Sequence, residues 1–348
     1  MKIIHLPTLV GNHGYSMAHT ERLLGHDSIA IALEPNKFNM KTDINLNLPS
    51  GFSKLPRLLY FFLANRKKYD IYHFNFARTL LDFPGYGLDF LDLPYYKGKK
   101  MVTFNGSDCR LQVTRELNPF SPYLGGDSKG DHYLDYKRKM ERVEKLSPHI
   151  DTFFALNPDL LNFLPEEQSV FLPYIKKSWF DVRKCNFSKL SKKDTLRIVH
   201  APTNRSVKGT DEIISAIEDL KSMYNIDFIL IENMTHDQAL ELYKSAHLVI
   251  DQIKLGWYGG FALEVMRMGI PVAVYINELD LKFLDSEMAD SLLESVININ
   301  PISIKEKLSQ IFDNPEQLNS LAEKSYNYAT KFHNPLRVIP KVIERYKN

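Results

Sequence analysis

The segment 250-IDQIKLGWYGGFALEVMRMGIPVAVY-275 decides how the rest of the chain is read. An apolar, strand-like run ends at Asp251. Gly256, Trp257, Tyr258, Gly259 and Gly260 follow, then a helix-like stretch in which Glu264 is the one acid amid Phe261, Ala262, Leu263, Val265 and Met266. A second apolar run, 270-IPVAVY-275, closes the segment. Strand, glycine turn, helix and strand in succession are the unit of a parallel sheet. The glycines let the turn take positive φ and let a ligand approach the backbone. The helix start offers free N–H groups and the positive dipole end, which suit a phosphate. An acid about one turn later lies within reach of a ribose, whose paired hydroxyls need an acceptor. The plain alternative is a turn with Glu264 reaching solvent from a helix edge.

A second stretch of the same kind, 200-HAPTNRSVKGTDEI-213, also leaves a strand and opens a helix. It sets Arg205 and Lys208 three residues apart, ahead of Gly209. A pyrophosphate suits such a pair, because Arg supplies a fork of donors and Lys a mobile point charge. Two solvated surface cations would be the plain alternative, but two such loops in one series make a joint signal.

Outward from these loops, strand-like and helix-like runs alternate. Strands are expected at 3–6, 28–33, 70–74, 99–104 and 151–156, with helices from the loop 10-VGNHGYS-16 to about 24, at 54–68 and at 132–146. A second series has strands at 195–201, 226–232, 247–251 and 270–275, with helices at 210–223, 236–245 and from 261. This alternation predicts an α/β protein with parallel sheets and right-handed crossovers. The series divide near 173–194, where 181-DVRKCNFSKLSKKD-194 is polar. Two Rossmann-like domains facing across a cleft are expected: 1–180 with the helix 335–348 crossing back to it, and 181–334.

Length and composition agree. At 348 residues the chain exceeds one ordinary core, and about two domains are expected. Lys+Arg 44 against Asp+Glu 42 leaves a formal charge of +2, so no global field argues for nucleic acid. Cys109 and Cys185 cannot make a disulfide framework, and no zinc spacing is present. The N-terminus lacks a signal-peptide core, and no run of about 18 apolar residues exists to span a bilayer. A cytoplasmic location is expected. The segment 51-GFSKLPRLLYFFLANRKKYD-70 sets Leu55, Leu58, Leu59, Phe62 and Leu63 beside Lys54, Arg57, Arg66, Lys67 and Lys68. It reads as a core-packing helix with a basic end, or as a peripheral contact with the inner face of an anionic membrane.

The pattern resembles the GT-B glycosyltransferases, specifically the large retaining group called family 4, over almost the whole chain. At the front, 11-GNHGYSMAHTERLLGHDSIAIAL-33 is similar to the family's first loop, first helix and Leu-x-x-x-Gly-His-(Asp/Glu) turn. In the middle, 70-DIYHFNF-76 and 103-TFNGSDCR-110 are similar to its Asp-Val-x-His-x-His and His-Gly-Ser-Asp-x-Arg segments. In the second series Arg205 and Lys208 match the cations that hold the donor diphosphate. Glu264 matches the second acid of a Glu-x7-Glu motif, which usually binds the donor ribose. The resemblance implies a nucleotide-sugar donor, most simply a UDP-sugar, bound by Gly11, Gly14, Arg205, Lys208, Tyr258, Gly259, Gly260, Phe261 and Glu264.

Two departures stand out. The first acid of the motif is replaced by Gly256, and the usual His of His-Gly-Ser-Asp is Asn105. Asp108, His13 and Asn105 are the acceptor-side catalytic candidates. Asp108 has a helix N-cap as its alternative reading, and His13 and His73 have core packing as theirs. No Asp-x-Asp pair is present to hold a metal, and the motifs call for neither metal nor cofactor. A saccharide or lipid-linked acceptor is implied, in cell-surface polysaccharide or glycoconjugate synthesis. A catalytically silent nucleotide-sugar-binding partner, a sugar-nucleotide epimerase and a phosphorylase remain open as alternatives; the last would need a Schiff-base lysine, and no motif for one stands out.

Overall fold

A computed structural model of the chain describes residues 1–8, 10–33, 41–48, 52–110, 116–123, 131–185, 190 and 194–348, without the side chains of 52, 131–136 and 236–237. In chain order the strands of the first unit are β1 Lys2–Leu6, β2 Asp27–Ala32, β3 Ile44–Asn45, β4 Ile71–Asn75, β5 Lys99–Phe104, β6 Thr152–Ala155 and β7 Ser169–Phe171. Its helices are α1 His13–Leu23, α2 Leu55–Asn65 and α3 Asp131–Leu146. The second unit holds β8 Leu196–His200, β9 Ile226–Leu230, β10 Leu248–Ile250, β11 Val272–Val274 and β12 Ile297–Asn298. Its helices are α4 Arg205–Lys208, α5 Thr210–Leu220, α6 His236–Lys244, α7 Gly260–Met268, α8 Ser286–Ser295, α9 Ile304–Asp313 and α10 Gln317–Phe332. A last helix, α11 Pro335–Lys347, returns to the first unit.

The first sheet runs β3-β2-β1-β4-β5-β6-β7 and is parallel throughout. Because side chains alternate across a strand, each strand feeds both faces. Ile4, Tyr72, Val102 and Phe153 join Leu58 and Phe62 of α2 and Val143 of α3 in one core. Their neighbours Ile3, Ile71, Met101 and Phe154 join Met17 of α1 and Val338, Ile339 and Val342 of α11 in the other. Both faces are thus covered, as a parallel sheet requires. A buried polar chain crosses the α11 face. The His5 Nε2 nitrogen lies 2.8 Å from Glu21, whose carboxylate also accepts from Ser28 (2.6 Å) and from Tyr346 of α11 (3.1 Å). His73 sits between the Tyr346 hydroxyl and Thr103, 2.6 Å from each. His73 is therefore a satisfied core histidine.

The second sheet runs β12-β11-β10-β8-β9, again parallel. Ile198, Leu248, Ile250 and Ala273 pack under Ile213, Ile217 and Leu220 of α5 and Ile304 and Leu308 of α9. In each sheet the chain leaves the first strand to one side and resumes on the other, between β1 and β4 and between β8 and β10. Ligands of open α/β sheets bind beyond the carboxyl ends of strands at such a reversal. The loops after β1 and β4, and those after β8 and β10, are therefore the places to look.

By contacts the first unit comprises Met1–Gln112, Gly126–Lys177 and Pro335–Asn348, and the second Val113–Gly125 and Ser178–Asn334. The sequence placed 116–123 with the first series. Within the second unit, Asn118 donates to the carbonyl of Lys254 (3.0 Å), and Asn277 donates to that of Leu117 (2.7 Å). Phe120 meets Tyr275 edge-on at 5.3 Å. Of the polar stretch 181–194, residues 186–189 and 191–193 lie outside the described residues. So do the side chains that would form the start of the charged face expected for 132–146. Both cysteines are free.

Candidate functional site

Lys208 is set in place by its own turn. Asn204 caps the single helical turn α4 by accepting from the N–H of Val207 (3.1 Å), and the turn ends at Gly209, where φ is +77°. A Cβ on Gly209 would stand 2.5 Å from Cγ1 of Ile253, so no larger residue lets the two loops close up. The carbonyl of Lys208 accepts from the N–H of Ile253 (3.1 Å), which ties the loop after β8 to the loop after β10. Beneath them His200, at the end of β8, donates from Nδ1 to the Ile250 carbonyl (2.8 Å) and accepts from Thr210 at Nε2 (2.9 Å). Burial lowers its pKa to about 4, so the imidazole is neutral at physiological pH.

With the turn fixed, the buried Lys208 ammonium meets the fully buried carboxylate of Asp251 at 2.6 Å and lies 5.5 Å from the centre of the Phe261 ring. The second Asp251 oxygen accepts from the N–H of Gly259, the N-cap of α7, at 2.7 Å. One carboxylate thus occupies both the cation and the helix-start N–H, a pairing that a phosphate oxygen would also satisfy. Arg205 is half exposed, with loose ion pairs to Glu232 (3.6 Å) and Asp211 (3.8 Å). Lys208, Gly259, Gly260 and Phe261 are thus one cluster at the sheet reversal, with Arg205 at its edge. The sequence reading does not single out Asp251. Its signal was an acid at the end of an apolar strand, directly before the glycine turn.

Glu264 lies one turn into α7. It is buried and accepts from the Ser178 hydroxyl at 2.7 Å, so it does not reach solvent from a helix edge. Gly256 has φ +83°, and a Cβ there would stand 2.7 Å from Cβ of Asn277 and 3.3 Å from the Asn118 amide nitrogen. The place where the resemblance leads one to look for an acid has no room for a side chain. Tyr258 requires a correction. Its ring stacks on Trp257 (4.4 Å between centres), and its hydroxyl lies 2.7 Å from that of Tyr328 and 2.6 Å from Nε2 of His333. Fully buried against α10, it is a core residue rather than a donor-facing one, because its polar end is already satisfied there.

In the first unit the loop after β1 closes on itself. Gly11 has φ +64°, and its carbonyl accepts from the Tyr174 hydroxyl at 2.8 Å. A Cβ on Gly14 would stand 2.5 Å from the Asn75 amide nitrogen. His13 begins α1, fully buried, 5.8 Å from the Tyr174 ring centre. Burial, then the charge of His5, holds its pKa down to about 3. Neither its ring nitrogens nor the buried amide of Asn75 finds a hydrogen-bond partner among the described residues. Asn105 reaches the same loop, donating to the Val10 carbonyl at 3.3 Å. Gly11, His13, Gly14 and Asn105 are therefore neighbours.

Asp108 belongs to the turn that Asn105 opens. Its carboxylate accepts from the N–H groups of Asn105 (3.0 Å) and Gly106 (2.7 Å), closing the turn that ends β5. Burial pushes its pKa up to about 6, against the pull of those donors. It caps its own turn; the residues that would form a following helix, 111–115, lie outside the described residues. Arg110 of the same segment is buried in a bidentate pair with Asp159 (2.6 and 3.0 Å).

No protein-family model and no curated protein sequence matches the chain. Solved structures do. Sucrose-phosphate synthase from Thermosynechococcus elongatus superposes with a TM-score of 0.64 at 12% identity, over 100% of this chain and 98% of that one. A glycosyltransferase from Rickettsia africae ESF-5 gives 0.59 at 14%, over 99% and 97%. An α-glucosyltransferase in complex with UDP gives 0.64 at 10%, over the whole of both chains. At these identities the likeness establishes the fold. It is that of the GT-B glycosyltransferases, two parallel α/β sheets spanning the entire chain. The α-glucosyltransferase also has structures with DNA, so a near-neutral charge gives no ground for setting nucleic acid aside in this fold.

Proposed function

We propose that the chain is a glycosyltransferase that moves a sugar from a nucleotide-sugar donor, UDP-linked in the first instance, to a saccharide or lipid-linked acceptor. A cytoplasmic role in cell-surface polysaccharide or glycoconjugate synthesis fits that chemistry. The observation that carries this reading is the convergence of Lys208, Asp251, the start of α7 and Glu264 at the reversal of the second sheet, with Arg205 beside them. In this reading the donor diphosphate takes up Arg205, Lys208 and the α7 N–H groups, and Glu264 accepts from the ribose. Lys208 has three donors and can keep Asp251 while meeting a phosphate. As the diphosphate leaves it gains charge, which the same cations and helix end stabilise most in the transition state. The acceptor hydroxyl attacks from the leaving-group face and gives its proton to a phosphate oxygen, so the sugar's configuration is retained. The scheme draws on no metal and no protein nucleophile.

The closed space at Gly256 favours a second reading, a subunit that binds nucleotide sugar without turning it over. A panel of nucleotide sugars tested for thermal stabilisation, hydrolysis and transfer separates the two. Turnover supports the transferase, and stabilisation without turnover supports the silent partner.

A further inference from the structure

The helix α2 carries an apolar surface that stays exposed among the described residues. Its Leu58 and Phe62 are buried in the first core, whereas Leu55 is 38%, Leu59 43%, Leu63 54% and Tyr60 77% exposed. The sequence offered Leu55, Leu58, Leu59, Phe62 and Leu63 as one apolar set, for the core or for a membrane surface, and only Leu58 and Phe62 reach the core. Leu55, Leu59 and Leu63 recur every fourth residue and so form one stripe along the helix. The turn at 93–97 extends the patch. Tyr95, 58% exposed, meets Phe62 edge-on at 6.5 Å, and the N–H of Lys97 donates to the carbonyl of Arg66 (3.0 Å).

Charge distinguishes this face from an ordinary exposed leucine or two. The segment 52–68 contains Lys54, Arg57, Arg66, Lys67 and Lys68 and no acid, and the exposed Lys97 adds to the same rim. An apolar stripe with aromatic residues beside it and cations at both ends of the helix matches the boundary of a bilayer, where rings and leucines enter the acyl edge and cations meet anionic headgroups. A helix of 11 residues is only about 16 Å long, so it would lie in the interface and not cross it. A symmetric contact with a second copy would instead set this cationic rim against itself.

We propose that α2, with Tyr95 and Lys97, is a docking surface for an anionic lipid bilayer. Nothing in this depends on the activity proposed above.

Sedimentation of the full chain with vesicles of phosphatidylcholine alone, and with about one-third phosphatidylglycerol, tests it. Binding is expected only to the anionic vesicles. It should weaken steeply as salt rises from about 0.1 M to 1 M, where the screening length shrinks from about 10 Å to 3 Å. Each cation near an anionic surface is worth roughly a fivefold change in partitioning, so Arg57→Gln/Lys67→Gln/Lys68→Gln should lose on the order of 100-fold. Leu59→Gln/Leu63→Gln should lose about tenfold or more. All five side chains are exposed, so thermal unfolding should be unchanged, which separates lost docking from lost fold. Three outcomes overturn the proposal. They are no binding of the wild type to anionic vesicles, equal binding by the charge variant, and a dimer that Leu59→Gln/Leu63→Gln dissolves. The last would assign the face to a second copy.

Discussion

The loop after β1 and the loop after β10 are both glycine turns that leave a parallel strand and open a buried helix, yet they are finished with opposite electrostatics. The first is uncharged. Gly11 is tied to the Tyr174 hydroxyl, α1 opens on a neutral imidazole, and the amide beside it belongs to Asn75. The second is a charged lattice in which Asp251 bridges Lys208 and the Gly259 N–H. Topology supplies the same thing in both places, a helix start at a sheet reversal. Side chains decide what that start can hold: neutral polar groups in the first unit, and in the second a cation with its countercharge, which the proposed function assigns to a phosphate.

The contrast can be broken most forcefully at Asp251. Replacing it by Ala leaves the Lys208 ammonium buried without its partner, and chemical denaturation should show about 3–5 kcal/mol of lost stability. A loss under about 1 kcal/mol would mean that Lys208 finds water. Next, Arg205→Ala/Lys208→Ala should lower kcat/KM for a nucleotide-sugar donor by roughly 100-fold or more, about 3 kcal/mol. Its melting profile should be recorded alongside, since Asp251 also loses its cation. Glu264→Gln keeps an acceptor for Ser178 and should leave the fold intact while weakening nucleoside diphosphate binding by about 1–3 kcal/mol. Unchanged affinity with lost stability would make Glu264 structural.

The smallest effect belongs to the first loop and sharpens the contrast by its sign. His13 has a folded pKa of about 3 against 6.5 for the unsuppressed imidazole, so the unfolded chain takes up a proton that the folded one refuses. Its stabilising share is present above about pH 6.5 and is lost as pH falls towards 3, at about 1.4 kcal/mol per unit. Between pH 7 and pH 5, His13→Gln should therefore lose about 2 kcal/mol less stability than the wild type in urea titrations. Equal losses would place the His13 ring in water.

Most of the alternation of strands and helices was legible because each element keeps its own period, and the apolar runs stop at glycines or charges. Strands β3 and β12 were not, since two residues carry no readable alternation. The cations 205 and 208 and the acid 264 were legible because chain spacing alone brings them near the same strand ends. Asp251 was not, because its role depends on Gly209 letting Ile253 close in and bring Lys208 over the carboxylate, a contact between loops 43 residues apart. Tyr258 misled because a tyrosine between glycines reads as exposed, while the acceptors that bury it, Tyr328 and His333, lie 70 and 75 residues on.

Calorimetric titration of the wild type and of Arg205→Ala/Lys208→Ala with UDP and with uridine, at low and high salt, bears most directly on the second loop as a phosphate site. The wild type should bind UDP far more tightly than uridine, with the advantage shrinking as salt rises because the half-exposed Arg205 is screened. The double variant should bind uridine as the wild type does and lose most of the preference for UDP. Equal affinity for UDP in both proteins would contradict the assignment of these loops to a nucleotide-sugar donor.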